Sequence, residues 1–202
     1  LFGVLAERGF FPIEWLEGYC LDGSRLPGHV TYGVPGVEVS SGSLGHGLSI
    51  GCGMALAIKS DGRPCRVFVV LGDGDCQSGS TWEAALFARH HALDNLVAIV
   101  DLNKIQAYGI VEEVLDLEPL VDKWRAFRWA VQELDGHDCG QLEDALGSVP
   151  IEPGKPSIIL AHTVKGKGVS FMENDLASSG WHYGTPDDRQ LAQGLAEIRV
   201  ER

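Results

Sequence analysis

The chain has 202 residues, 45% hydrophobic and 22% charged, the balance of one globular domain long enough to bury a full core. Its formal net charge of −12 argues against nucleic acid or an anionic membrane as the main partner. No apolar run approaches the roughly 18 residues of a membrane span, and no signal peptide or internal repeat is visible. Cysteines 20, 52, 65, 76 and 139 form no CxxC pair and read as reduced thiols in a cytoplasmic protein.

In chain order, Leu1 to Arg8 looks like the end of a helix closed by Gly9. Pro12 to Gly18 reads as a short helix, with Pro at its start and Gly at its end. Cys20 to Ser41 is a long Gly- and Pro-rich loop carrying Pro27-Gly28-His29, and a structureless stretch of that length is usually functional. A helix of small residues is expected from about Leu48 to Lys59. Its Gly51, Gly53, Ala55 and Ala57 leave room for a backbone or a flat ring. Val67 to Leu71 is an apolar run cut off by Gly72-Asp73-Gly74, which predicts a buried strand ending at a tight turn. Ser80 and Glu83 have the spacing of a capping box, so a helix is expected from there to about His91. Leu96 to Val100 is the next strand, ending at Asp101-Leu102-Asn103. Farther on, Glu118 to Arg128 is amphipathic, Trp129 to Leu134 strand-like and Asp138 to Ser148 helical. Lys155 to His162 is a fourth strand, Met172 to Gly184 reads as irregular, and a terminal helix starts at Asp187 or Asp188. The alternation predicts an α/β fold, a mostly parallel sheet with helices on both faces.

The strand–helix–strand unit around Asp73 carries the chemistry. Parallel neighbours lie about 5 Å apart, with their carboxyl ends on one edge of the sheet. Asp73 ends the first strand and Asn103 follows the second, so a carboxylate and a side-chain carbonyl converge. Ligands of open α/β sheets bind at that edge. Two hard oxygen donors with open positions beside them suit Mg²⁺, which keeps sites for phosphate oxygens and water. Gly72 and Gly74 let backbone approach an anion closely.

GDG, about thirty residues, then Asn is the thiamine diphosphate fingerprint. GDGDCQSGSTWEAALFARHHALDNLVAIVDLNKIQ resembles the diphosphate-binding domain of transketolase in its amino-terminal-subunit form. The PGH…GVE segment, SGSLGHGLSIGCGMALA and TVKGKG extend the likeness over nearly the whole chain. The resemblance implies thiamine diphosphate with Mg²⁺, or Ca²⁺ or Mn²⁺ in its place. It implies Asp73, Asn103 and the main-chain carbonyl of Ile105 as metal ligands, and Leu44, Gly45, Gly72, Gly74 and Asp75 as further cofactor contacts. His29 and His182 carry over as substrate-contacting, catalytic residues. His46 and the His137–Asp138 pair read as structural. Ser78 stands where relatives often carry an acid that links the two active sites of a dimer.

The implied reaction is transfer of a two-carbon ketol unit between sugar phosphates. The family also needs a glutamate on the cofactor's aminopyrimidine, supplied by a second domain that nothing here resembles. A carboxyl-terminal subunit is therefore the expected partner, in a dimer of heterodimers. Residues 1–202 read as one diphosphate-binding domain lacking its amino-terminal segment: the sequence opens mid-element, and the family's early His and KGH-type motif are not in it. Two alternatives stand beside this reading. One is a thiamine diphosphate enzyme for a specialised sugar or a 2-ketoacid. The other is a non-catalytic relative that stabilises a partner.

Overall fold

The computed structural model describes residues 1–173 and 180–200, with side chains to residue 198. It falls into two compact units, Leu1–Leu44 and Gly45–Arg202.

The first unit holds α1 (Phe2–Glu7), which ends at Gly9 with φ +76°, and a 3₁₀ helix, Ile13–Gly18. Leu5, Ala6, Phe11, Leu26, Val34 and Val37 form its small core. Phe11 stacks on Trp15 at 5.3 Å. The loop after Cys20 is tied down by backbone and side-chain hydrogen bonds, Ser41 N–H to Val30 O and Tyr32 N–H to Ser40 Oγ.

The second unit begins with α2 (Gly47–Ser60), β1 (Val67–Gly72), a 3₁₀ turn (Asp73–Gln77) and α3 (Gly79–His90). Then come β2 (Leu96–Leu102), the short strands β3 (Ile105–Gln106) and β4 (Gly109–Ile110), α4 (Val111–Leu115) and α5 (Leu120–Ala126). β5 (Ala130–Asp135), α6 (Cys139–Gly147) and β6 (Ser157–His162) follow. The described remainder is α7 (Ser170–Glu173), α8 (Gly180–Tyr183) and α9 (Asp188–Val200).

The main sheet has the order β1-β2-β6-β5, all parallel, with Gly72 opposite Asp101 and Leu102 opposite His162. Alternating side chains feed two cores. On one face Leu71, Leu96, Ala98, Val100, Ile158 and Leu160 pack under α2, α3 and α5. On the other, Val97, Leu134, Ile159 and Ala161 pack against Ala145 of α6. The expected α/β architecture, parallel and covered on both faces, is what forms. A string of indoles welds α3 and α5 to the sheet. Trp82 and Trp124 lie 4.8 Å apart and Trp124 and Trp129 5.1 Å, with Trp129 Nε1 donating to Ala85 O.

Two local expectations are corrected. β1 is an edge strand among the described residues, not a buried one, and Phe68 and Val70 are exposed on the face away from α2. The box expected at Ser80 and Glu83 does not form, because the 3₁₀ turn pushes the helix start back to Gly79 and leaves Ser80 inside the first turn. Ser80 Oγ donates instead to Gly45 O at 2.8 Å. The stretch expected to be irregular contains the end of α7 and all of α8, and residues 174–179 of it lie outside the described residues.

Candidate functional site

The site grows from the end of β1. Asp73 is the first residue after the strand and is 4% exposed. Its Oδ1 accepts the N–H of Gly74 at 2.9 Å, and its Oδ2 accepts the N–H of Lys104 at 2.7 Å. The second bond joins the two neighbouring strand ends, because Lys104 follows Asn103 in the loop leaving β2. Lys104 has φ +66°, a left-handed conformation that a lysine adopts only when its surroundings hold it there. Asn103 Oδ1 accepts the Ile105 N–H at 3.0 Å, and its Nδ2 donates to Asp101 Oδ2 at 3.2 Å. Thr163 Oγ1 donates to the other oxygen of Asp101, so the end of β6 joins the same network.

The GDG turn is locked to α3. Thr81 Oγ1 donates to Asp75 O at 2.7 Å, and Trp82 Nε1 to Cys76 O at 2.8 Å. Asp75 works as a clamp, its two oxygens accepting the N–H of Gly45 at 2.7 Å and of Gly72 at 2.8 Å. Gly45 has φ +77°, and a Cβ there would lie 2.5 Å from Ser78 Cβ, so the fold itself demands glycine. Gly72 and Gly74 differ. A Cβ at either would meet nothing nearer than 3.8 Å, so the chain leaves open space beside the turn.

The electrostatics favour a cation. Burial pushes the Asp73 carboxyl above its ordinary value, the N–H groups of Lys104 and Gly74 oppose that, the charge of Asp101 adds to it, and that of Lys165 counters it. Among the described residues no ion pair within 4 Å includes Asp73. A carboxylate has about four lone-pair positions and an amide oxygen two. Asp73 and Asn103 therefore keep acceptor capacity after their N–H bonds. Among the described residues no three His, Cys, Asp or Glu side chains gather into a metal cage. A set of one carboxylate, one amide oxygen and a main-chain carbonyl matches an ion that draws its remaining ligands from phosphate and water. The residues present thus fit a divalent ion carrying an anion.

The other expected residues fall as follows. Ile105 is buried, and its strand β3 pairs with β4 across the loop. Leu44 is 64% exposed. His29 is exposed in its loop, and its ring lies on Gly42, where a Cβ would meet His29 Cδ2 at 2.4 Å. His182 is exposed on α8, edge-on to Tyr183 at 4.9 Å. His46 is exposed at the start of α2 and makes no capping bond, unlike a packed structural histidine. His137 is structural as expected: its Nε2 accepts the Val164 N–H at 2.7 Å, while Asp138 caps α6 through the N–H groups of Gly140 and Gln141.

The structure also shows residues that the sequence reading passed over. A cavity of about 310 Å³ opens beside Asp73, lined by Lys104, Glu112, Glu118, Leu120 and His162 among others. His162 Nε2 lies 3.2 Å from Glu133 Oε2. Gln106 follows the metal-type loop, with its Nε2 shielded from solvent and without a hydrogen-bond partner among the described residues. The one signal in the sequence was position: His162 ends a strand on the edge where ligands of such sheets bind.

The family model for the transketolase thiamine diphosphate binding domain matches residues 8–196. The chain belongs to that family. Among relatives of this transketolase-family chain, an apulose-4-phosphate transketolase subunit of Phocaeicola vulgatus is 41% identical over 204 residues, covering 100% of this chain and 72% of the relative. A 6-deoxy-6-sulfo-D-fructose transketolase subunit of Clostridium sp. is 45% identical over 202 residues, with the same two coverages. The solved transketolase of Campylobacter jejuni superposes with a TM-score of 0.81 at 29% identity, over 92% of this chain and 30% of that one. The chain thus spans about a third of that solved transketolase.

Proposed function

We propose that this chain is the amino-terminal subunit of a two-chain transketolase, moving a two-carbon ketol unit between sugar phosphates with thiamine diphosphate and Mg²⁺, or Ca²⁺ or Mn²⁺ in its place. The observation that carries this is the Lys104 N–H bond to Asp73 Oδ2, which draws the loop of Asn103 onto a buried carboxylate that no side-chain cation pairs within the described residues. Asp73, Asn103 and the carbonyl of Ile105 would hold the metal. Gly72 and Gly74 would give the diphosphate its space, while Asp75 holds Gly45 in place and Leu44 meets the cofactor. When bound, thiamine diphosphate supplies a carbanion-stabilising centre at which a carbon–carbon bond is broken and remade. His29 and His182 are assigned to the sugar, where they would orient hydroxyls and move protons.

Residues 1–202 act in this reading as a diphosphate-binding domain, completed by a carboxyl-terminal subunit in a dimer of heterodimers. Support for a partner comes from the relatives named as subunits. The five cysteines are free in the structure, which suits work in the cytoplasm. No helix among the described residues is long and apolar enough to cross a membrane. The two relatives named for unusual sugars favour a specialised ketose donor over a common pentose phosphate.

Calorimetry on the assembled chains tests the site. Asp73→Ala is expected to abolish Mg²⁺-dependent binding of thiamine diphosphate while the protein stays folded. Unchanged affinity in a folded variant would remove the assignment. A panel of ketose phosphates and sulfonated ketoses then tests the donor.

A further inference from the structure

The loop leaving β6 is tied down at its first two residues. Thr163 is held by its N–H to Leu102 O at 3.3 Å and by its hydroxyl to Asp101, whose other oxygen accepts Asn103 Nδ2. The Val164 N–H donates to His137 Nε2 at 2.7 Å. That bond directly precedes Lys165, whose charge acts on Asp73. Farther along, the loop is held by its own bonds. The Lys167 N–H bonds to Val164 O at 3.2 Å, the Val169 N–H to Gly166 O at 3.0 Å, and Lys167 pairs with Glu173 at 3.0 Å. At its far end Ser170 bonds Glu197 of α9. How the near end meets the sheet is therefore set by Thr163 and Val164. His137 is well fixed for its part: its N–H bonds Asp135 Oδ1 at 2.9 Å, and the preceding Gly136 N–H bonds His162 O at 2.8 Å. Gly136 lies so close to the loop that a Cβ there would stand 2.5 Å from Thr163 Cγ2.

A backbone N–H can only donate, so His137 Nε2 must accept, which fixes the ring as neutral with its proton on Nδ1. Protonation makes both ring nitrogens donors and sets donor against donor at Val164. Resting on the function proposed above, we infer that His137 is a pH-sensitive positioning residue, which holds the Val164 end of the loop beside the diphosphate site when neutral and releases it when charged. The ring is exposed, so protons reach it from solvent. Of the charged groups around it, Asp135 accepts the His137 N–H and Asp138 is spent on the cap of α6. On the two strand ends, His162 and Glu133 pair with each other at 3.2 Å. From the loop side come Lys165, Lys167 and Glu173. The Lys167 hydrogen bond, the Gly168 N–H and the positive charges of Lys167 and His137 hold the Glu173 carboxyl below its ordinary value against desolvation. A charged His137 thus competes with Lys167 for Glu173 as it gives up Val164, and both changes loosen the loop.

The test uses the chain assembled with its partner, and Mg²⁺–thiamine diphosphate as the probe, at about pH 8 and about pH 5.5, spanning most of the range in which histidine changes charge. His137→Gln offers an amide oxygen at the reach of Nε2 and does not titrate, whereas His137→Ala offers no acceptor. At the higher pH the wild type and His137→Gln are expected to bind alike, and His137→Ala about three- to tenfold more weakly, the range of one neutral hydrogen bond. At the lower pH the wild type is expected to lose that factor relative to His137→Gln. Titration of the diphosphate and of other groups is common to both proteins and cancels in the ratio. Hydrogen exchange at the Val164 amide of the empty assembly, corrected for its intrinsic rate, reads the bond directly. Protection is expected at both pH values in His137→Gln, at neither in His137→Ala, and only at the higher one in the wild type. Equal binding by the wild type and His137→Ala at the higher pH overturns the inference. So do acid profiles that coincide for the wild type and His137→Gln, or Val164 protection that is the same in all three proteins. Should the alanine variant not fold, the comparison with His137→Gln decides alone. Failure of the wild-type assembly to bind thiamine diphosphate at either pH overturns the functional reading instead, while Val164 exchange still reads the His137 bond.

Discussion

At the scale of single residues, two acids separated by one glycine have different work. Both accept one backbone N–H on each oxygen, but Asp73 joins the two strand ends and lines the cavity, whereas Asp75 ties Gly45 to Gly72. Asp75→Ala is therefore expected to leave two N–H groups unsatisfied and to lower stability by about 1–3 kcal/mol, measurable by urea denaturation. Gly45→Ala combines a φ of +77° with a 2.5 Å clash and should cost more than the 1 kcal/mol or so of a simple backbone effect. His29→Ala removes a side chain from an exposed loop, so cofactor affinity should hold while turnover falls by about 10²- to 10⁴-fold. Wild-type turnover would make His29 a packing residue for Gly42. The meeting of Asp73 with the Asn103 loop was legible in the sequence, because a parallel crossover fixes which strand ends are neighbours. The Asp75 clamp and the place of Gln106 were not, since both depend on how separate loops fold back over the turn.

At the scale of elements, the apolar runs revealed the four parallel strands, with ends shifted by one or two residues. The β3–β4 hairpin escaped notice because two-residue strands carry no periodicity. The start of α3 was misplaced because Ser80 and Glu83 have the right spacing for a cap that a preceding 3₁₀ turn makes unnecessary. β1 was read as buried from its composition, since an apolar run says nothing of whether a strand has a neighbour on each side. Elements are joined by polar ties as well as by the core. Lys59 at the end of α2 bonds Asp94 Oδ1 at 2.8 Å, and Asp94 Oδ2 accepts the Gly154 N–H at 3.1 Å. The Lys59 hydrogen bond, outweighing desolvation and helped by the Gly154 N–H, holds the Asp94 carboxyl below its ordinary value of 3.8. A depressed carboxyl stabilises the fold above its unfolded value and loses that contribution as pH falls through its folded value. Asp94→Asn should therefore lower the melting temperature at pH 7 and show a smaller further loss between about pH 5 and 3, within the acid range of carboxylate linkage. Parallel acid profiles for the two proteins would show that the tie contributes nothing. Trp124 is fully buried between Trp82 and Trp129, and Trp124→Ala is expected to cost about 3–5 kcal/mol.

At the scale of the whole molecule, the proposed function makes the chain one wall of a cofactor site and its partner the second. On the proposed function Asp73 is kept for the metal, while Asp75 holds Gly45 and Gly72 and Asp101 holds Thr163 and Asn103, so none of these acids is left for the cofactor's aminopyrimidine. Phe68 and Val70 stand exposed at the edge of the sheet, 45% and 71%. Activity on this reading belongs to an assembly, and cofactor chemistry to both of its chains. The decisive measurement is ketol transfer by the purified chain, saturated with Mg²⁺ and thiamine diphosphate and given ketose and aldose phosphates, with and without its carboxyl-terminal partner chain. Turnover is expected only when both chains are present. Robust turnover by this chain alone, or none from the assembled pair on any ketose phosphate or sulfonated ketose of the panel, would contradict it.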